Sequence, residues 1–223
     1  MKVLITTSGT GSRLGEVTKH TNKALVRVGK KPAISYIIEC YPKNTEFVIT
    51  LGYKGDQVKD FLGHAYPGKK FTFVWVDKFE GEGTSLGYSM LCAKKKLQSP
   101  FIYHACDTIV EGFTAPKIKR NWVTGIRVKT GIEHYASFNF DKKTNRVTNF
   151  NPRGTKEYGL VHIGLVGIHD YKKFWDKLAG AYESNPNDSS LNDISGISPL
   201  IEEGIAFYAV PVPSWLDIGN PDA

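Results

Sequence analysis

Short apolar runs alternate along this chain with longer amphipathic ones. Lys2–Thr7 reads as a buried strand that runs straight into glycines, and Glu46–Leu51, Phe71–Val76 and Phe101–Cys106 read as three more strands. Between them lie helical patterns. Ala33–Tyr41 opens on Pro32, whose missing N–H costs nothing at a helix start. Gly55–Ala65 gathers Val58, Phe61 and Leu62 on one face, and Ser85–Leu97 repeats Leu86, Met90 and Ala93 or Leu97 at helical spacing. Strand, loop and helix in repetition predict an α/β fold: a mostly parallel sheet, helices on both faces, right-handed crossovers. After Asp107 the pattern changes. Trp122–Lys129, Tyr135–Phe140, Arg146–Phe150 and Leu160–Ile168 are strand-like runs separated by short polar turns, which predicts an antiparallel element. Asn185–Ser190 reads as a surface loop and Ile205–Val210 as a late strand.

The 223 residues suffice for one well-cored domain, and no repeat or linker divides them. Apolar stretches such as Val3–Ile5 and Leu160–Ile168 are strand-length, far short of the ~20 residues of a membrane helix. The N-terminal apolar segment is too short for a signal peptide, so a cytoplasmic protein without a membrane partner is expected. Cys40, Cys92 and Cys106 are odd in number and lack C-x-x-C spacing, which argues against a disulfide scaffold or structural zinc. His104, Cys106 and Asp107 lie close in sequence, but strand neighbours point to opposite faces, so these three do not form a cage by themselves. The formal charge of +7 comes from scattered lysine doublets and the triplet Lys94–Lys96, without a nucleic-acid-binding motif. Scattered doublets read chiefly as the solvated faces of a basic protein, and polynucleotide is not expected as a partner.

The segment Thr7-Ser8-Gly9-Thr10-Gly11-Ser12-Arg13-Leu14-Gly15 follows the first strand directly. Glycines there let backbone N–H groups approach a phosphate. The segment lacks the Gly-Lys-Ser/Thr ending of a P-loop. It also fails as a dinucleotide turn: the third glycine is displaced to Gly15, and Gly29-Lys30-Lys31-Pro32 stands where the ribose-binding acid belongs. The extended loop carries cations instead, Arg13 and Lys23, a combination that suits a triphosphate.

Ser8–Leu14, then Asn22-Lys23-Ala24-Leu25-Val26-Arg27-Val28 and Lys31-Pro32, resemble the signature of the sugar-phosphate nucleotidyltransferases, also called NDP-sugar pyrophosphorylases. The likeness continues through Ile49–Tyr53, Gly83-Thr84-Ser85, His104-Ala105-Cys106-Asp107 and Trp215-Leu216-Asp217-Ile218-Gly219, in family order across nearly the whole chain. The resemblance implies a GT-A-like, Rossmann-like single domain over residues 1–223, with 1–110 mainly NTP-binding and 111–223 mainly acceptor-binding. It implies that Ser8, Gly9, Thr10, Gly11 and Ser12 wrap the triphosphate with Arg13, that Lys23 contacts phosphate, and that Gly83, Thr84 and Ser85 lie beside the base. Asp107 and Asp217 match the two carboxylates that hold the catalytic Mg2+, and Arg153, in Phe150-Asn151-Pro152-Arg153-Gly154, matches the basic residue on the acceptor phosphate. Taken singly, Asp107 could serve as a helix cap and Asp217 an Asx-turn; the whole constellation favours function.

The implied reaction condenses an NTP with a phosphorylated small molecule, a sugar phosphate in the main reading, and releases pyrophosphate. The acceptor oxygen is already ionised near neutral pH, so the chemistry asks for positioning and charge neutralisation rather than a general base. Thr6-Thr7-Ser8 replaces the family's Leu-Ala-Ala/Gly run, Cys106 replaces a glycine, and Pro152 stands where a sugar-gripping carboxylate is common. Ser85-Leu86-Gly87-Tyr88-Ser89 also looks like the matching segment of phosphocholine cytidylyltransferases, which keeps a non-sugar acceptor open, as well as a non-catalytic nucleotide-binding relative. Asn220-Pro221-Asp222-Ala223 follows the second metal motif at once, so the chain is expected to be the N-terminal part of a longer one, with a fused C-terminal domain or a homo-oligomer as the assembly.

Overall fold

The computed structural model describes residues 1–219; the four residues on which the longer-chain expectation rests lie outside them. In chain order the elements are β1 (Lys2–Thr6), β2 (Arg27–Val28), β3 (Lys31–Pro32), α1 (Ala33–Glu39), β4 (Glu46–Leu51), α2 (Gly55–Ala65), β5 (Lys70–Trp75), α3 (Leu86–Ala93), β6 (Phe101–His104), β7 (Thr108–Glu111) and β8 (Asn121–Ile126). Then come β9 (Ser137–Phe140), β10 (Val147–Asn151), β11 (Leu160–Ile168), α4 (Tyr171–Ser184), α5 (Asp193–Glu202), β12 (Phe207–Pro211) and β13 (Ser214–Asp217).

A nine-stranded mixed sheet forms the body, in the order β10-β9-β11-β6-β1-β4-β5, with β8 pairing β11 and β12. β5, β4, β1 and β6 are parallel, as the repeated strand–helix pattern predicts. β11 then runs antiparallel to β6, β8 and β9, which is the expected antiparallel element. Alternation along β1 divides the core in two. Val3 and Ile5 face one layer with Ile34 and Ile37 of α1 and Val58 and Leu62 of α2, whereas Leu4 faces the other with Met90 of α3 and Phe174 and Leu178 of α4.

Two helices escaped the sequence reading. α4 buries Phe174, Trp175 and Leu178, and the Trp175 ring stacks on Phe101 at 5.1 Å while its indole N–H reaches the Leu97 carbonyl at 3.1 Å. α5 begins in a capping box: Asn192 accepts from the Ile194 amide at 2.9 Å, and the Ser195 hydroxyl accepts from the Asn192 amide at 3.1 Å.

The strand expected over Phe101–Cys106 stops at His104, where the chain turns into β7. The His104 ring, 1% exposed, bridges that turn. Its Nε2 lies 2.9 Å from the Thr108 carbonyl, which can only accept, so Nε2 carries the proton and Nδ1 accepts from the Tyr41 hydroxyl at 2.8 Å. Burial lowers the His104 pKa from 6.5 to about 4, against the opposing pull of the Thr108 carbonyl and Asp107. The unfolded chain thus takes up a proton first. The stability contributed by neutral His104 is fully present above pH 6.5 and is lost as the pH falls toward 4, by roughly 3 kcal/mol in all. Urea melts of wild type and His104→Gln across that range should show the extra loss only in the wild type. Equal losses in both proteins would exclude His104 as its source.

Candidate active site

A cleft of about 480 Å³ opens beyond the carboxyl ends of β1 and β6, where open α/β sheets bind ligands. Its first wall is the glycine loop. Ser8 to Arg13 line it, and the loop turns at Gly11, whose φ of 68° favours glycine. Gly9 differs. A Cβ there would meet no protein atom within 4 Å, so its bareness serves the open cleft rather than the packing. The fully buried Asn22 fixes the loop: its amide donates to the carbonyls of Thr7 at 2.9 Å and Tyr53 at 2.6 Å, and its oxygen accepts from the Ala24 amide at 2.9 Å. The Thr18 hydroxyl closes the turn on the Gly11 carbonyl at 3.1 Å. Lys23, next to this anchor, is thereby carried into the cleft.

Asp107 and Asp217 meet through a device the apolar pattern does not reveal. β7 and β13 form a two-stranded antiparallel ribbon in which Thr108 pairs with Asp217. The Ile218 amide then donates to the Asp107 carbonyl at 3.0 Å, so the residues preceding β7 and ending β13 stand side by side. A Cβ on Gly219 would lie 2.5 Å from Asp107 Oδ2, 3.1 Å from Asp217 Oδ1 and 3.1 Å from Lys23 Nζ. Any side chain at 219 would therefore intrude among both carboxylates and the ammonium. The Asp217 carboxylate accepts from the Gly219 amide at 2.7 Å and from the Tyr135 hydroxyl at 3.0 Å.

Lys23 makes an ion pair with Asp107. Burial tends to raise the Asp107 carboxyl, but the Lys23 charge and hydrogen bond outweigh it and hold the group below the ordinary carboxylate range. For Lys23 burial pulls downward and Asp107 prevails, so its pKa is raised. For Asp217 the balance is reversed: burial, and then the Asp107 charge, outweigh the Gly219 and Tyr135 hydrogen bonds and the more distant Lys23 charge and raise it above the usual value. The two carboxylates are thus unequal, one compensated and one strained. That donor set suits Mg2+, which prefers oxygen, keeps several waters and takes one or two carboxylates together with substrate phosphates. Among the described residues no group of three or more His, Cys, Asp or Glu side chains forms a closed metal cage.

The opposite wall comes from the antiparallel element and the start of α5. His134, Tyr135, Arg153, His162 and Asp193 line it, and Trp215 packs edge-on against Tyr135 at 5.0 Å. Every expected site residue except Gly83 faces the one cleft: Ser8, Gly9, Thr10, Gly11, Ser12, Arg13, Lys23, Thr84, Ser85, Asp107, Arg153 and Asp217. Gly83 does not line the cleft; its φ is 78°, and a Cβ there would lie 3.5 Å from Asn187 Oδ1. Tyr135, His162 and Asp193 were not singled out from the sequence. His162 could have been, as the one ionisable side chain in the apolar run Leu160–Ile168.

No family model matches the chain. It is 30% identical, over its whole length and 63% of the relative's, to the low-salt glycan biosynthesis nucleotidyltransferase Agl11 of Haloferax volcanii. It is 23% identical, over 99% of its length, to the bifunctional protein GlmU of Methanococcus vannielii, of which it spans 52%. The chain thus spans about half to two thirds of these two relatives. Its fold superimposes on the CTP:phosphocholine cytidylyltransferase LicC of Streptococcus pneumoniae with a TM-score of 0.81, at 21% identity, covering 99% of this chain and 94% of the other. Among the described residues no helix is long and apolar enough to cross a membrane. Along its full length the chain is similar in sequence to two nucleotidyltransferases, and it shares the α/β fold of a third.

Proposed function

We propose that this protein transfers the nucleotidyl group of an NTP to a phosphorylated small molecule, a sugar phosphate, with Mg2+ as cofactor. The observation that carries the reading is the convergence of the glycine loop, the cations Arg13, Lys23 and Arg153 and the carboxylates Asp107 and Asp217 on one cleft. An oxygen of the acceptor phosphate forms a bond to the α-phosphorus of the NTP, the bond from that phosphorus to the bridging oxygen breaks, and pyrophosphate leaves with the electron pair. Loop amides from Ser8 to Ser12 and the Arg13 guanidinium hold the departing phosphates. Lys23 and Arg153 reach the cleft from opposite walls and bring two polyanions together, which is the main barrier to this reaction. Asp107 and Asp217 would hold Mg2+, which when bound neutralises phosphate charge. Thr84 and Ser85 stand beside the base, and the similarity to a glycan biosynthesis nucleotidyltransferase supports a sugar phosphate acceptor.

A phosphocholine-like acceptor is the second reading, favoured by the Tyr135–Trp215 aromatic pair on the acceptor wall and by the fold match to LicC. Pyrophosphate release measured with each common NTP, magnesium, and panels of sugar phosphates and phosphocholine tests both. Turnover with one NTP and a phosphorylated acceptor is expected. Nucleotide binding without pyrophosphate release on any acceptor would replace the enzyme with a non-catalytic nucleotide-binding protein.

A further inference from the structure

We infer that Tyr135 is a positioning residue for the cation: its hydroxyl sets the Asp217 carboxylate in the orientation that receives Mg2+. The inference rests on the metal-dependent nucleotidyl-transfer reading above. Asp217 is held at both oxygens. Oδ1 accepts from the Gly219 amide at 2.7 Å and Oδ2 from the Tyr135 hydroxyl at 3.0 Å. The terminal torsion of an aspartate is broad, so a carboxylate bonded at one oxygen still turns, whereas one bonded at both is fixed. Each oxygen accepts along two lone-pair directions, so each keeps one for a cation after these bonds are made.

The two donors differ in origin. The Gly219 amide belongs to the same segment as Asp217 and moves with it. Tyr135 instead precedes β9, a strand of the main sheet. Its amide donates to the Ile132 carbonyl at 3.1 Å, and the carbonyl of the next residue, Ala136, accepts from the His162 amide of β11 at 2.9 Å. The hydroxyl therefore ties Asp217 to the same sheet whose strand β6 leads into Asp107. Packing alone does not ask for that hydroxyl. The Tyr135 ring meets Trp215 edge-on at 5.0 Å, a contact that phenylalanine makes as well. The Ile132 carbonyl also accepts from the Gly154 amide at 3.3 Å, so the loop that carries Tyr135 touches the turn that carries Arg153. That contact is made by backbone and survives loss of the hydroxyl, which separates an effect on the cation from one on the acceptor wall.

Tyr135→Phe removes the hydroxyl and keeps the ring. Mn2+ suits the same oxygen ligands as Mg2+ and is visible by electron paramagnetic resonance, so it is titrated into the wild type and the variant without substrates. The Mn2+ dissociation constant should rise ~10-fold or more in the variant, as when a hydrogen-bond partner of a metal-binding side chain is lost. The free magnesium that gives half-maximal pyrophosphate release should rise in step. At saturating magnesium, kcat and the KM values for NTP and acceptor should stay within about threefold of the wild type. A general structural defect would instead lower the melting temperature and move kcat and both KM values at any magnesium concentration. Mn2+ affinity within twofold of the wild type overturns the assignment and leaves nucleotidyl transfer standing. If the wild type takes up Mn2+ only together with the NTP, half-saturating magnesium decides on the same margins; if Tyr135→Phe does not fold, Tyr135→Leu gives the comparison. Wild-type turnover undiminished in EDTA defeats the underlying metal reading instead.

Discussion

Asp217→Asn should release pyrophosphate at least ~10³-fold more slowly than the wild type while melting at the same temperature or higher. The two halves of this result have separate causes. Asparagine keeps the shape and can still accept from the Gly219 amide and the Tyr135 hydroxyl, so the β7–β13 ribbon keeps its bonds. It removes a carboxylate whose pKa burial and the neighbouring Asp107 charge raise, so the folded state loses a repulsion rather than an attraction. Turnover suffers because one of the two carboxylates that would hold the divalent cation among the substrate phosphates is gone. Asp107→Asn should be equally slow but less stable, because the largely buried Lys23 ammonium loses its counter-charge. Pyrophosphate release at saturating magnesium and thermal melts of both variants give the comparison. Asp217→Asn turnover within tenfold of wild type would sink the metal assignment.

Lys23→Ala should cut turnover by ~10²-fold or more, as loss of one electrostatic contact made at the reacting phosphates does. A second signature separates this variant from a generally damaged one. The Lys23 ammonium pairs with Asp107 and its charge also acts on Asp217, so it partly compensates both when no divalent cation is bound. Without it, two half-buried carboxylates share a small space and lose their nearest compensating charge. The variant should therefore melt below the wild type in EDTA and recover with millimolar magnesium, whereas the wild type should change little. Kinetics within twofold of wild type would remove Lys23 from the reaction. A magnesium response equal in the two proteins would show that its ammonium does not stand in for the ion.

The parallel half of the sheet was legible because β1, β4 and β6 are buried on both faces and read as apolar runs bounded by glycine or polar turns. The glycine loop and its two cations were legible because backbone approach to phosphate demands a particular local sequence. What stayed hidden was long-range. β7 and β13 are four residues each and owe their existence to one another, so neither carries a periodic signal of its own. α4 did carry one in Phe174, Trp175, Leu178 and Ala181, and the cap at Asn192 marked the start of α5, so these two were readable and were missed. The His162–Asp193 contact joins a strand to a helix start 31 positions later, and only the folded backbone brings them together.

Among the described residues the β7–β13 ribbon sits apart from the nine-stranded sheet, and each of its strands pairs only with the other. A two-stranded unit has little stability of its own in water. Parting these strands separates Asp107 from Asp217 while every strand of the main sheet keeps its partners, so the site can come undone in a molecule that is otherwise native. In hydrogen-exchange experiments the ribbon's amides should open at lower free energy than those of β1 and β4. A ligand that bridges the two carboxylates would act as a clasp on that opening and slow exchange there most, far more than in the sheet behind it.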